Sequence, residues 1–271
     1  EHVDSSVTLG GESPLAQVHL IVRPKSGEVT EVDVPALQEQ LNMLVRNWQD
    51  DLREQLIGSE GEERGLQMAK RFGRALPTGY IEQVTLPIAL ADVRNLAALT
   101  DGDNLRLNLY RAPADGGLRF KLYRLHDDIP LSDVLPVMEN LGLRVNSEHP
   151  YELDLDDGRV VIQDFEVEPL GAEVDVDSAR ARFEEAFAAV WAGQAENDGF
   201  NRLVLAANLG WRQVAMLRGY CKYMLQTGVT FSQAYMEETM ARYPLIARLL
   251  VELFEARFEP GREKKADPRT C

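Results

Sequence analysis

Residues 200–260 read FNRLVLAANLGWRQVAMLRGYCKYMLQTGVTFSQAYMEETMARYPLIARLLVELFEARFEP. Apolar residues are too many and too evenly spread here for the short helices that carry them. After Pro244, the residues Leu245, Ile246, Leu249, Leu250, Leu253, Phe254 and Phe258 fall on one helical stripe, which is expected to face a core. The preceding helix, from Trp211, shows two apolar faces. Trp211, Val214, Leu217, Cys221, Met224 and Leu225 make one, and Met216, Tyr220 and Tyr223 the other. Such a helix must be covered from two sides, so the stretch reads as a piece of something larger.

Working outward, the termini differ from this stretch. The chain opens in polar, Gly/Ser-containing EHVDSSVTLGGESP and closes in charged EPGREKKADPRTC. Both read as linkers, over residues 1–14 and 259–271. Residue 1 is Glu, and no charged segment followed by an apolar core marks a signal peptide. No apolar run approaches the roughly 20 residues of a membrane span. Two cysteines, Cys221 in an apolar helix and Cys271 at the last position, form no disulfide framework, so a reduced, cytoplasmic protein is expected.

The 271 residues have room for about two domains. Residues 1–171 hold 30 Asp+Glu against 16 Lys+Arg, a net of −14, whereas residues 172–258 hold 11 against 9, a net of −2. The acidic part speaks against nucleic acid or an anionic membrane as partner. The near-neutral, apolar part speaks for a protein neighbour. The boundary is expected within the acidic, Gly-containing stretch 166–177.

The first part alternates strands and helices. Ala16–Arg23 (AQVHLIVR) has strand periodicity and ends in the turn signal Pro24-Lys25-Ser26-Gly27. Leu37, Leu41, Leu44, Val45, Trp48, Leu52 and Leu56 then mark a long amphipathic helix opened by Pro35, and further helices are expected over 62–76 and 86–99. Two similar segments, 105–110 (LRLNLY) and 118–123 (LRFKLY), read as paired strands joined through Ala114-Asp115-Gly116-Gly117. A short helix over 131–141, with Ser132 or Asp133 near its start, ends at Gly142, and strands follow over 144–153 and 159–168. Without the extra helices and the final strand, the order is βαββαβ, the ferredoxin-like arrangement. The fold class is therefore α+β: a ferredoxin-like domain over 15–170 with a helical insertion, whose first strand is expected from Ala16–Arg23 or belongs to a preceding domain. An all-helical domain over 172–258 follows, with helices near 177–191, 201–207, 211–226, 232–242 and 244–258.

No residue set points to catalysis, to a bound cofactor or to a metal. Asp154-Leu155-Asp156-Asp157-Gly158 resembles the start of a calcium loop, but its Gly is fifth rather than sixth and Phe165 stands where a bidentate Glu is needed. A primed hairpin turn at Asp157-Gly158 explains it better. His126 precedes Asp127 and Asp128, yet the four histidines (His2, His19, His126, His149) have no ligand spacing. Cys221 lies on an apolar stripe and reads as an inert buried thiol. Glu184-Glu185 and Glu237-Glu238 are adjacent on helices, diverge, and read as solvated. The run 60–63 suits a helix start. No phosphate-binding glycine loop occurs. For small-molecule binding, the turns Asp127-Asp128-Ile129-Pro130 and Leu141-Gly142-Leu143 are the places where a cleft would open, although a plain turn and helix cap account for them too.

YRLHDDIPLSDVLPVMENLGLRVNSEHPYEL, at 123–153, and the helical run 200–260 together resemble the large bacterial NAD-dependent glutamate dehydrogenases. The resemblance spans about residues 14–260 and is closest in LSDVLPVMENLGLRV, FNRLVLAANLGWRQVAMLRGYCKYMLQTGV and FSQAYMEETMARYPLIARLLVELFEARFEP. It implies the last ACT-like module and the start of the helical motifs, ahead of a catalytic domain. It further implies that NAD is the cofactor of the parent enzyme, with none held by this segment. The partners it implies are the remainder of the parent chain, further copies in a homo-oligomer and an amino-acid effector. An amino-acid-binding sensor and an independent carboxylate enzyme using Asp127 and Asp128 stand beside that expectation as alternatives.

Overall fold

The computed structural model describes residues 2–9, 16–23, 35 and 48–258, apart from 114–115, 128 and 172–174. The chain divides into two compact units, residues 1–47 and 48–271. The first contains β1 (His2–Leu9) and β2 (Ala16–Arg23), an antiparallel pair that aligns Val3 with Val22 and Val7 with Val18. His2–Leu9 is thus a strand and not a linker: its β-branched Val and Thr residues suit an extended chain better than its neighbouring Ser and Gly suggest. The expected helix positions between Leu37 and Val45, the turn at Pro24-Lys25-Ser26-Gly27 and the closing segment 259–271 with Cys271 lie outside the described residues.

The second unit opens with four helices, α1 (Trp48–Glu60), α2 (Glu62–Phe72), α3 (Thr78–Gln83) and α4 (Leu86–Ala97). Then come β3 (Leu105–Arg111), β4 (Leu118–Leu125), α5 (Leu131–Asn140), β5 (Leu143–Leu155), β6 (Gly158–Pro169) and α6 (Val176–Trp191). The four strands form one antiparallel sheet in the order β3-β4-β6-β5. Its geometry is the ferredoxin-like one, built from other elements than expected. β4, α5, β5, β6 and α6 run in that order, so the strand over 159–168, left out of the expected βαββαβ order, lies inside the sheet, and the helix at 176–191 packs on it. The place of the last strand is filled by β3, which comes first in the chain. Ala16–Arg23 does not supply a strand to this sheet, which corrects the first of the two expectations for it; it pairs with β1 in the separate unit. The physical reason is local. The tight β5–β6 hairpin lays β6 beside β5, pairing Leu155 with Gly158, and β6 also pairs with β4, so it fills the position between β4 and β5 that a distant strand would otherwise take.

Strand alternation sends two sets of side chains to opposite faces of the sheet. Leu118, Phe120, Leu122, Phe165 and Val167 join α5, α6 and the later helices in one core. Tyr123, Leu125, Val160, Ile162 and Leu153 join α1 to α4 in a second core. The sheet is therefore buried on both faces. Its β3 edge is capped at Leu109, where Glu184 of α6 accepts from Leu109 N at 2.8 Å and Arg180 Nε donates to Leu109 O at 2.6 Å. Side-chain capping of an open strand edge removes it as a pairing template.

Beyond α6 come a 3-10 turn (Gly199–Arg202), α7 (Leu203–Ala206), α8 (Trp211–Gln226), α9 (Gln233–Arg242) and α10 (Pro244–Phe258). Ser232 caps α9 by accepting from Tyr235 N at 3.2 Å, and Gly228 (φ 84°) ends the turn after α8.

Candidate functional site

On the face of the sheet covered by α1 to α4, period-two alternation brings Lys121 of β4 and Asp164 of β6 into register. Asp92 of α4 descends onto them from the helical layer. Lys121 Nζ lies 2.6 Å from Asp92 Oδ2 and 3.3 Å from Asp164 Oδ2, and the side chains of Lys121 and Asp92 are wholly buried. Tyr80 of α3 donates to Asp92 Oδ2 at 2.6 Å, and Tyr123 of β4 donates to Asp92 Oδ1 at the same distance. Burial, with the neighbouring Asp92 charge, pushes the hydroxyls of Tyr80 and Tyr123 well above the usual tyrosine range. Both therefore stay protonated as donors. Burial likewise raises Asp164, against the opposing pull of Lys121. A buried cation is tolerable only when paired and hydrogen-bonded, and this centre supplies both. With Lys121 and Asp92 closed to solvent, no substrate reaches the centre; it joins helices to sheet. Sequence reading missed it because residues 80, 92, 121, 123 and 164 are far apart in the chain.

A second buried group organises the later helices. Arg218 forks onto Asp198 through Nε–Oδ2 at 2.7 Å and Nη2–Oδ1 at 2.9 Å, and Nη2 also donates to Asn201 Oδ1 at 2.8 Å. Asp198 Oδ1 additionally accepts from Phe200 N at 3.1 Å, capping the 3-10 turn.

The sites suggested by the sequence fall apart in space. The hairpin turns at Asp156-Asp157, between the paired Leu155 and Gly158, and has positive φ only at Gly158 (φ 140°); it is not the primed turn expected at Asp157-Gly158, whose first central residue would need positive φ. A β-carbon at Gly158 would lie 2.6 Å from the His126 ring. Asp157 pairs with Arg71 of α2 at 2.6 Å, and Lys70 and Arg74 line the same groove as Asp154 and Asp156. The acidic tip is thus matched by a basic helix edge. His126 contacts Asp101 at 3.0 Å, Asp127 pairs with Arg124 at 3.1 Å, and Asp128 lies outside the described residues. No group of three His, Cys, Asp or Glu side chains among the described residues has the arrangement to hold a metal ion.

Cys221 is buried against Met236, Sγ to Sδ 3.5 Å, and burial raises its thiol above the usual range. Glu184 is not the solvated side chain expected, since it serves the β3 edge and burial raises its carboxyl. Glu185 accepts from Trp211 Nε1 at 3.1 Å, and Glu237 from Gln233 at 2.8 Å.

Two surface features remain. At the Gly142 turn (φ 91°), where a cleft was one expectation, a cavity of about 390 Å³ opens against α7, α9 and the start of α10. The other is an apolar face. On α10 only Ala247 and Val251 are buried, while Leu245, Ile246, Leu249, Leu250 and Leu253 are exposed, Leu249 by 52%. The stripe expected to face a core is exposed, and the side that α10 turns inward carries the smaller Ala247 and Val251. On α8, Tyr220 and Tyr223 are exposed by 48% and 64%. Between the two helices runs a groove of about 390 Å³, with Met216, Tyr220, Met224, Met240, Leu253 and Phe254 among its walls. No described helix is long and apolar enough to cross a membrane.

Four family models match this chain in series. They are the glutamate dehydrogenase ACT2 domain over residues 1–49, helical motif 2 over 55–99, the ACT3 domain over 104–179 and helical motif 3 over 195–260. The chain belongs to the glutamate dehydrogenase family that carries these modules. The four-stranded sheet lies in the ACT3 match, Ala16–Arg23 in the ACT2 match, and the exposed apolar face in helical motif 3. Three curated relatives are each an NAD-specific glutamate dehydrogenase. The one from Halomonas elongata is 42% identical over 264 residues, 96% of this chain. That from Pseudomonas aeruginosa is 38% identical over 264 residues, again 96% of this chain. That from Mycobacterium tuberculosis is 34% identical over 270 residues, 92% of this chain. The chain spans only 16% of the length of each of these relatives.

Proposed function

We propose that this chain is a non-catalytic regulatory and assembly segment of an NAD-dependent glutamate dehydrogenase. The parent enzyme would convert L-glutamate, NAD and water to 2-oxoglutarate, ammonia and NADH, with the NAD site outside this segment. Within the segment, residues 172–258 form the assembly element. The observation that carries this reading is the outward stripe of α10 beside Tyr220 and Tyr223. Apolar patches of this extent on a soluble protein mark contact surfaces.

The occupant is the rest of the same polypeptide. The relatives run to about six times this length, since the chain spans 16% of them. Residues 259–271, EPGREKKADPRTC, have no apolar run to lay on the stripe. The local net charge of −2 over 172–258 leaves little repulsion against a folded neighbour.

The test is Leu249→Ser with Leu253→Ser, made both in the isolated chain and in the full-length polypeptide. The isolated chain should keep its melting temperature and sediment as a monomer with or without the changes. The full-length variant should lose assembled enzyme. A variant that assembles normally overturns the reading, and self-association of the isolated chain through this face overturns the choice of occupant.

A further inference from the structure

The cavity at the Gly142 turn has a lining that the assembly reading does not use. Two of its walls are cationic, Arg202 from the 3-10 turn and Arg242 from the last turn of α9; Leu170, Leu205 and Pro244 give it an apolar floor. The Arg202 stem runs beside the Gly142 turn, where a β-carbon would sit in ordinary van der Waals contact, 3.8 Å from Arg202 Cα and Cγ. The head is not answered. Arg202 Nε is buried and donates to no described residue. Neither Arg202 nor Arg242 has an ion pair with a described carboxylate, although the chain holds 44 Asp and Glu against 29 Lys and Arg. In so acidic a chain, two arginines beside one cavity with no carboxylate partner among the described residues make a local positive site. Among the described residues, no acidic side chain lines the cavity to match an ammonium group.

We infer that this cavity binds a short dicarboxylate, one carboxylate for each guanidinium and a methylene body over Leu170, Leu205 and Pro244. A planar guanidinium fork suits a carboxylate in two-point contact, and partial burial strengthens it. The absent ammonium partner selects against amino acids: a diacid is favoured over the same skeleton carrying an α-ammonium, which would be desolvated without a partner. The inference goes beyond the assembly reading and stands on a different surface, so Leu249→Ser with Leu253→Ser leaves it unchanged.

The experiment is calorimetric titration of the chain with glutarate, L-glutamate, L-leucine and inorganic phosphate, at fixed ionic strength. Glutarate should bind saturably at one site and at least about tenfold more tightly than L-glutamate, a difference of about 1.4 kcal/mol. Arg242→Gln, at an exposed position that leaves the fold intact, should weaken glutarate at least tenfold. Arg202→Lys, which keeps the charge and the stem but loses the fork, should weaken it while the melting temperature of the free chain holds. Equal binding of phosphate and glutarate would reduce the site to a nonspecific anion field and overturn the inference. So would tighter binding of L-glutamate or L-leucine, undiminished binding by Arg242→Gln, or no glutarate binding at all.

Discussion

The sheet and the last two helices treat polar and apolar side chains in opposite ways. The sheet and the helix α4 upon it bury Lys121, Asp92 and most of Asp164, while α8 and α10 expose Tyr223, Leu249 and Leu253. Both depart from the usual partition of charge outside and hydrocarbon inside. The difference is one of coverage. The sheet has helices from the same chain on both faces, so whatever its strands carry is enclosed and must be paired. The helical part has cover from one side only, so its second apolar face stays open. A buried ion centre therefore marks a finished interface, and an open leucine stripe an unfinished one.

The comparison is broken most directly at Lys121. Lys121→Ala should cost about 3–5 kcal/mol, because it leaves Asp92 and Asp164 buried without their cation. Urea unfolding of the chain measures this. Removing Asp92 as well should cost less than the sum of the two single changes, since the second charge is no longer stranded. A loss under 1 kcal/mol for Lys121→Ala would mean that the centre is hydrated and the sheet face not closed.

At the hairpin, Gly158→Val should destabilise by roughly 1–3 kcal/mol, through both its positive φ and the clash with His126. A large rise in melting temperature on adding calcium to the unchanged chain would instead show that Asp154, Asp156 and Asp157 hold a metal.

A smaller effect is carried by pH. Burial raises the Asp164 carboxyl above its ordinary 3.8. The folded state thus holds this proton more tightly than the unfolded one. Its stabilising contribution is complete below pH 3.8 and is lost as pH rises through the folded value. Asp164→Asn should remove that decline, so the gap between variant and wild-type unfolding free energies should shift with pH above 3.8. Parallel pH profiles would assign the decline to other groups.

The smallest change in stability is expected on the open face. Tyr220→Ser with Tyr223→Ser should hold the melting temperature within about 2–4 °C while weakening association with the rest of the polypeptide. Unfolding of this double variant would place the rings in the fold's own core, against their exposure of 48% and 64%.

Much of this was legible along the chain. The matching segments LRLNLY and LRFKLY pair as neighbours, Gly142 ends α5 with a positive φ, and the helices after residue 176 fall close to where apolar periodicity places them. Periodicity and turn chemistry act over a few residues, so they survive in the sequence. The surplus of apolar residues around Tyr220 and Tyr223 was readable too, because a helix with two apolar faces announces itself whatever covers it.

What the sequence could not decide was which side of each pattern is enclosed. Leu245, Ile246, Leu249, Leu250 and Leu253 look like a core stripe, yet Ala247 and Val251 face inward. Lys121 alternates with Phe120 and Leu122 as a solvent-facing residue would, yet it is fully buried. Glu184 looks solvated, yet it holds the edge strand at Leu109. Ala16–Arg23 has the pattern of a sheet strand, but pattern does not name the partner: it pairs with β1, and β6, brought in by the tight β5–β6 hairpin, holds the place between β4 and β5. By itself the sequence determined the elements and their amphipathic faces, since these follow from local backbone geometry and residue spacing. Only the tertiary structure decided their pairings, because enclosure and charge pairing depend on residues such as 80, 92, 121, 123 and 164 that meet only after the chain has folded.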